Sequence, residues 1–226
     1  ILFDLVNKTY LNNQNLADSL SFITKNIIKK KFAMIGMDAC LMSMFEIFYQ
    51  IKDFSDYVVS SEEVEHAQGW DYIPFLLSLK EGKVSPEELS KIIVSSFEVF
   101  HKQKTQFYTQ SAIDLSGIDL MKDGLDKIVT SINECMAINS EQTKRIVKKA
   151  RASCFQLTTK FYVDLHSFLK ELSREIFNTE VNAKANRENI SHSIGRRTGN
   201  QLYNFTSSDQ FCTLKRSMDV ATKLIE

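Results

Sequence analysis

Proline and glycine are scarce in this chain. Two prolines and seven glycines in 226 residues leave little turn punctuation, which argues for long helices and few hairpins. Four cysteines, Cys40, Cys135, Cys154 and Cys212, are scattered with no C-x-x-C pair, so neither a zinc site nor a dense disulfide scaffold is expected. No apolar run approaches the roughly 20 residues that span a bilayer, so no membrane partner is expected. Net charge is zero, with 28 basic and 28 acidic side chains, and nothing in that balance calls for nucleic acid or an anionic surface. The one basic run, Lys29-Lys30-Lys31, ends a predicted helix, where cations suit the dipole and remain solvated. The opening residues show no signal-peptide zones, and the compartment stays open.

What the chain does have is an apolar content of 43% and a conspicuous segment, Phe32-Ala33-Met34-Ile35-Gly36-Met37-Asp38-Ala39-Cys40-Leu41-Met42. Six mostly apolar residues without alternation suit a buried parallel strand, and the amphipathic run that follows suits a helix from Ala39 to about Lys52. A thiol at a strand-to-helix junction sits near backbone N–H groups and a positive dipole end, which favours a nucleophilic thiolate. Cys40 is thus the candidate nucleophile; the other reading is a buried structural cysteine.

Elsewhere, Leu16, Leu20, Ile23 and Ile27 mark a helix over 14–30 behind an Asn-rich cap. A second strand is expected at 57–61, a short helix at 71–80, a helix from Pro86 to about Lys102 behind the capping box Ser85-Pro86-Glu87-Glu88, and a third strand at 107–114. That order predicts an α/β fold, a mostly parallel sheet with helices on both faces. Further helices are expected at 117–136, 141–153, 164–177 and 211–225. The polar stretch 178–211 reads as a loop, which divides the chain into 1–177 and 178–226.

Gly36-Met37-Asp38-Ala39-Cys40-Leu41-Met42, Glu46, Lys52-Asp53, Asp56-Tyr57-Val58-Val59, Ser60-Ser61-Glu62-Glu63-Val64-Glu65 and Gly69-Trp70 together resemble the clostripain family of cysteine peptidases. Weaker echoes follow at Ser111–Ser116 and Tyr162–Phe168, and none beyond about residue 178. The resemblance implies a caspase-like fold, a peptide or protein substrate, and cleavage after Arg or Lys. In that family the nucleophile works with a histidine in a His-Gly motif on the preceding strand, and relatives are cut between the two into chains that stay associated. His66, His101, His166 and His192 all lie after Cys40, and none is followed by Gly. The chain also begins at Ile1, so it reads as a processed subunit or an excerpt, a fold incomplete without an N-terminal, His-bearing partner segment. The resemblance is also compatible with secretion.

Sites in open α/β sheets form at the carboxyl ends of strands, which brings Cys40 together with the loop from Ser60 to Gln68. Ser60 and Ser61 are accordingly candidate substrate-binding residues. Asp38 lies two residues before Cys40, on the same side of an extended segment. The resemblance makes it the acid of the first specificity pocket, while its position also suits a helix cap. Where relatives read Glu-Pro-Gly-Asp-Gly-Trp, this chain has Glu65-His66-Ala67-Gln68-Gly69-Trp70, so Gln68 stands in place of a second pocket acid. His66 reads as a solvated loop residue, and His101, His166 and His192 as surface or packing residues. No cofactor or metal is demanded by the residues. The resemblance raises calcium, with Glu62 and Glu63 as acids, against the six to eight oxygens that ion takes. The alternative to an enzyme is a pseudopeptidase or binding scaffold that kept the fold without the chemistry.

Overall fold

The structure, a computed structural model, describes residues 2–82, 84–105, 107–190 and 205–225. The chain divides into two compact units, residues 1–119 and 120–226.

Unit one is α/β. A hairpin of β1 (Leu2–Asp4) and β2 (Thr9–Leu11) opens it, too short for its alternation to register in the sequence. Its turn is held by Asp4, whose Oδ1 accepts from the Val6 and Asn7 N–H groups. Helix α1 (Asn13–Phe22) starts from an Asn12 capping box and runs into a π-helical turn at Ile23–Ile27. Then come β3 (Phe32–Gly36), α2 (Phe45–Ile51), β4 (Ser55–Ser60), α3 (Tyr72–Glu81), α4 (Pro86–His101) and β5 (Ser111–Asp114).

The sheet order is β3-β4-β5. β3 runs parallel to β4, with Phe32 opposite Ser55 and Gly36 opposite Val59. β5 runs antiparallel to β4, with Ser111 opposite Ser60, so the three described strands form one parallel and one antiparallel pair rather than a fully parallel set. The reason is the helical hairpin between them. α3 and α4 pack on each other and return the chain to the end of β4 that it left, so β5 starts there and runs back.

β4 is the spine of this unit. Val58 and Val59 are both fully buried and point to opposite faces. Val58 packs with Leu20, Ile47, Phe48, Ile51 and Leu115; Val59 packs with Trp70, Phe75, Leu89, Ile93 and Phe97. Helices therefore cover both faces, as the unbroken apolar runs predict, and each buried valine is worth about 1.5–3 kcal/mol. β3 pairs only with β4 among the described residues, and its Ala33 and Gly36 are exposed despite their apolar neighbours.

Two elements depart from the sequence reading. α2 begins at Phe45, not Ala39, because the backbone turns at Leu41 and then bonds to the stretch after β4: Leu41 N–H to Glu63 O at 3.1 Å and Ser43 N–H to Ser61 O at 2.8 Å. Tertiary pairing overrides the helical pattern there. In unit two, α5 (Ile118–Ile138), α6 (Ser140–Ser153), α7 (Leu165–Ile190) and α8 (Asp209–Ile225) enclose a core that includes Cys135, Leu169, Leu172, Phe211 and Leu214. α7 continues past 177 to Ile190, so the first third of the expected loop is helical. Thr179 and Ala183 continue its buried stripe, and Glu180 binds Lys184 at 2.9 Å and Lys215 at 2.5 Å. Nothing between 178 and 190 breaks a helix, since that stretch has neither proline nor glycine. Residues 191–204 of that stretch lie outside the described residues.

Gly36 ends β3 directly under the ring of Trp70. A Cβ added there would stand 2.9 Å from two ring carbons. Gly36→Ala is expected to displace the ring and cost about 1–3 kcal/mol, as overpacking does. Trp70 is the chain's single tryptophan, so denaturant unfolding and a shift in its emission report the change together. Unchanged stability and emission would refute this packing.

Candidate active site

The carboxyl ends of β3 and β4 deliver two segments side by side. Met37 N–H bonds to Val59 O at 2.9 Å, continuing the parallel pairing one step beyond β3, and the chain then turns at Ala39–Leu41 with Leu41 at φ 58°. Cys40 sits in that turn. It is exposed, which removes the reading of a buried structural cysteine. It does not sit at a helix start, since α2 begins five residues later; the helix dipole therefore plays no part in its activation. Its surroundings come instead from the neighbouring segment: the Glu65 N–H donates to Sγ at 3.2 Å, and the Glu65 carbonyl lies 4.0 Å away. Among the described residues the Glu65 backbone is the only hydrogen-bond partner of that sulfur.

Asp38 is bound to the 65–72 segment from several directions. Its Oδ2 accepts the Trp70 N–H at 3.2 Å and the Tyr72 hydroxyl at 2.8 Å. Gly69 takes φ 61°, and a Cβ there would fall 2.7 Å from that same Oδ2. Only glycine suits both demands. Asp38 does not cap α2, whose N-cap is Met44.

Glu65 completes an acid pair. Its Oε1 accepts the indole N–H of Trp70 at 3.0 Å, and Oε2 is buried. Were both carboxyls ionised, Oε2 would be left without a partner; a proton on Glu65 supplies the donor for a bond to Asp38. Burial, and then that bond to Asp38, pushes Glu65 up to about 8. Burial also opposes ionisation of Asp38, but the bonds from Glu65, Tyr72 and Trp70, with His101 nearby, outweigh it and hold Asp38 below the ordinary carboxylate range. Tyr72 is pushed to about 12 by its bond to Asp38. The pair thus holds one negative charge, on Asp38.

The remaining sequence candidates divide. The Ser60 and Ser61 side chains are buried. Ser60 Oγ has no partner, and Ser61 Oγ meets Thr109 Oγ1 at 2.9 Å and bonds to Glu63 O at 3.1 Å. Thr109, silent in the sequence, also accepts the N–H groups of Glu62 and Glu63 and so shapes the turn after β4. Gln68 is exposed, and its Oε1 accepts from Lys104 Nζ at 2.8 Å. His66 is an exposed loop residue whose Nδ1 accepts the Gln68 N–H. His101 is fully buried beneath this loop, with Nε2 at 2.9 Å from Gly69 O. His166 lies on α7, and His192 falls outside the described residues.

The other thiols are ill suited to nucleophilic work. Burial, and then Glu134, pushes Cys135 up to about 11; burial also raises Cys154, and Cys212 is half-buried on α8. Glu63 is buried with its Oε1 on the Val64 N–H, and no three His, Cys, Asp or Glu side chains gather as a metal set among the described residues.

This arrangement, a thiol and a charged aspartate two residues apart at the end of one strand and both bonded to the next loop, has a family. A family model for the clostripain family matches residues 1–220. The chain belongs to the clostripain family. It is therefore a clostripain-type cysteine peptidase. A clostripain from Bacteroides thetaiotaomicron, solved with the peptide inhibitor BTN-VLTK-AOMK, aligns with a TM-score of 0.53 at 20% identity over 80% of this chain and 76% of that one. A secreted cysteine protease from the same organism, bound to an irreversible peptide inhibitor, aligns with a TM-score of 0.53 at 18% identity over 75% of this chain and 45% of that one. These likenesses establish a shared fold of mixed α/β class. No curated protein sequence matches the chain.

The acid pair gives this clostripain relative a pH signature. Glu65 is raised from 4.5 to about 8 in the folded state, so the folded protein holds a proton that the unfolded chain has released. Stability from this group is fully present below about pH 4.5 and is lost as pH rises through 8. Asp38, lowered from 3.8, acts in the opposite sense but only in acid below that window. Glu65→Gln keeps the shape of the protonated acid and has no proton to lose. Its stability relative to wild type is expected to increase steadily from pH 5 to pH 9 in urea unfolding, and a constant difference would disprove the shared proton.

Proposed function

We propose that the protein is a cysteine endopeptidase that cleaves after Lys or Arg, with Cys40 as nucleophile and Asp38 as the acid of the first specificity pocket. The observation that carries this reading is the common anchoring of the two groups: Cys40 Sγ on the Glu65 N–H, Asp38 on the Trp70 N–H and Tyr72 hydroxyl. A scissile carbonyl above Cys40 then has the preceding side chain within reach of a charge fixed two residues away. The Bacteroides clostripain supports the basic preference through its inhibitor, whose peptide part ends in lysine.

In the proposed reaction the Cys40 thiolate attacks the carbonyl carbon, and the electron pair of the C=O moves to oxygen. The Cys40 N–H, for which no acceptor is found among the described residues, is assigned the role of holding that oxyanion. An imidazolium gives its proton to the leaving amine as the C–N bond breaks, leaving a thioester. Water, giving a proton to the same imidazole, then releases the acid and restores the thiolate. The imidazole is assigned to a His-bearing segment preceding residue 1, as the family resemblance implies, with processing between the two as its corollary. Among the described residues the outer edge of β3 pairs with no strand, which supports the same assignment, because it offers a ladder of N–H and C=O groups to a further strand.

The chain alone is expected to be inactive and poorly soluble, and co-expression with the preceding segment to restore both properties. Activity of the chain by itself, abolished by Cys40→Ala, would move the base to a downstream histidine and defeat this assignment.

Specificity makes a sharper test. A charge-assisted pair contributes about 1.5–3 kcal/mol, so Asp38→Asn should reduce the preference for Lys or Arg about ten- to hundredfold. Gln68→Asp alone should change little, because Lys104, now 2.8 Å from Gln68 Oε1, would neutralise the new carboxylate. Gln68→Asp combined with Lys104→Met should sharpen the basic preference. Cleavage of a peptide library varied at the residue before the scissile bond checks all three variants. A wild-type preference for acidic or large apolar residues there would overturn Asp38's role and leave Cys40's intact.

A further inference from the structure

Residue 101 closes α4, and three features set it apart from an ordinary packed histidine. It is fully buried, its ring is enclosed by Phe97, Phe100 and His66 with centroids 4.4, 4.9 and 5.3 Å away, and its one side-chain hydrogen bond goes to the carbonyl of Gly69 at 2.9 Å. A carbonyl only accepts, so Nε2 carries the hydrogen, and the buried Nδ1 has no partner among the described residues. Packing among two phenylalanines would be served better by leucine, since an unpartnered buried polar atom costs free energy. The bond that His101 does make falls on the residue whose absent Cβ leaves room for the Asp38 carboxylate and whose successor donates its N–H to that carboxylate.

We infer that His101 is a positioning residue of the specificity pocket: its Nε2–H, bonded to Gly69 O, fixes the 69–70 peptide so that the Trp70 N–H faces Asp38. The inference rests on the reading that Asp38 receives a basic side chain. Gly69 at φ 61° has freedom that no other residue type would have there, and Gln68 before it is exposed. A loop with that freedom needs an anchor from below. The end of α4 and the turn that follows it supply it twice, through His101 and through Lys104 on Gln68. The end of α4 is itself secured, because the His101 carbonyl accepts the N–H groups of Lys104 and Thr105 at 2.8 and 3.1 Å. Loss of the His101 bond therefore frees the loop and leaves the Cys40 turn in place, because Leu41 N–H on Glu63 O and Ser43 N–H on Ser61 O hold it from outside that loop.

The test uses the full protein with its preceding segment and labels Cys40 covalently, so that it needs no turnover. Three reagents are compared: a peptide acyloxymethyl ketone ending in lysine, the same reagent ending in leucine, and iodoacetamide, which is too small to use the pocket. His101→Leu is expected to lower the lysine-to-leucine rate ratio about tenfold, the loss of roughly one buried hydrogen bond, with iodoacetamide labelling within about twofold of wild type. His101→Gln, whose amide nitrogen reaches the place of Nε2, should recover most of the ratio; His101→Asn, whose nitrogen reaches that of Nδ1, should not. An unchanged ratio in His101→Leu, or equal losses in the Gln and Asn variants, overturns the proposal, and the second comparison decides if His101→Leu fails to fold. A wild-type ratio near one means instead that the pocket reading itself is wrong, and His101's role falls with it.

Discussion

The Asp38 carboxylate is the constraint around which the site is arranged. It lies against the backbone of Gly69 so closely that no side chain fits between them, and it takes the next N–H, that of Trp70, together with the Tyr72 hydroxyl. Those contacts fix where the 65–72 segment crosses the end of β3. Once Trp70 is placed, its ring covers Gly36, which must also lack a Cβ, and its indole N–H reaches Glu65. Once Glu65 is placed, its backbone N–H faces Cys40. One anionic group thus orders the chain from strand end to the Cys40 thiol.

The same carboxylate determines how charge is distributed. Two ionised carboxyls in contact inside a partly buried pocket repel each other, and burial penalises each separately. The structure resolves this by unequal hydrogen bonding. Asp38 is given a backbone N–H and a hydroxyl; Glu65 has the indole N–H, with Gln110 able to add its amide at 3.2 Å once the amide is oriented to fit. The better-solvated acid keeps the charge and the deeper one keeps the proton, so the pocket presents a single, well-directed negative charge. Beside the pair, Gln68 is neutral and engaged by the Lys104 ammonium, so it adds no negative charge of its own. A pocket built this way depends heavily on the direction in which Asp38 points, which is what its many contacts control.

Much of this was legible in the sequence, but unevenly. The strand at 32–36, the capped helix from Pro86, the pairing of Cys40 with the loop after β4 and the prominence of Asp38 follow from local pattern and from the order of motifs, both carried by contiguous residues. The start of α2 was not legible, because Leu41, Met44, Phe45 and Phe48 have helical spacing whether or not the backbone before Phe45 pairs with Ser61 and Glu63. The direction of β5 depends on how two helices pack, which no strand pattern records. His101 did leave a signal: Leu89, Ile93 and Phe97 recur every four residues on the buried face of α4, and the next step is residue 101. Its residue type fits a surface or a packing position, and the stripe favours packing. Thr109 and Gln110 left none, since their parts depend on what the loop opposite requires.

Leu41 shows the energetic logic of the turn that carries Cys40. A leucine at φ 58° is strained by about 1–2 kcal/mol relative to its ordinary conformations. Such a conformation persists only where neighbouring contacts over-determine it. Here they do: Leu41 N–H bonds to Glu63 O, Ser43 N–H to Ser61 O, and Met42 between them is buried in the core beside Ile47 and Phe48. Each backbone bond contributes about 0.5–1.5 kcal/mol, and burial of the methionine adds about 1.5–3 kcal/mol, enough to offset the strain. Glycine would remove the strain and with it the rigidity, because its unfolded and alternative conformations are so numerous. A residue that resists this conformation, held in it from both sides, keeps the turn from opening and leaves the Cys40 thiol, one position earlier, facing solvent.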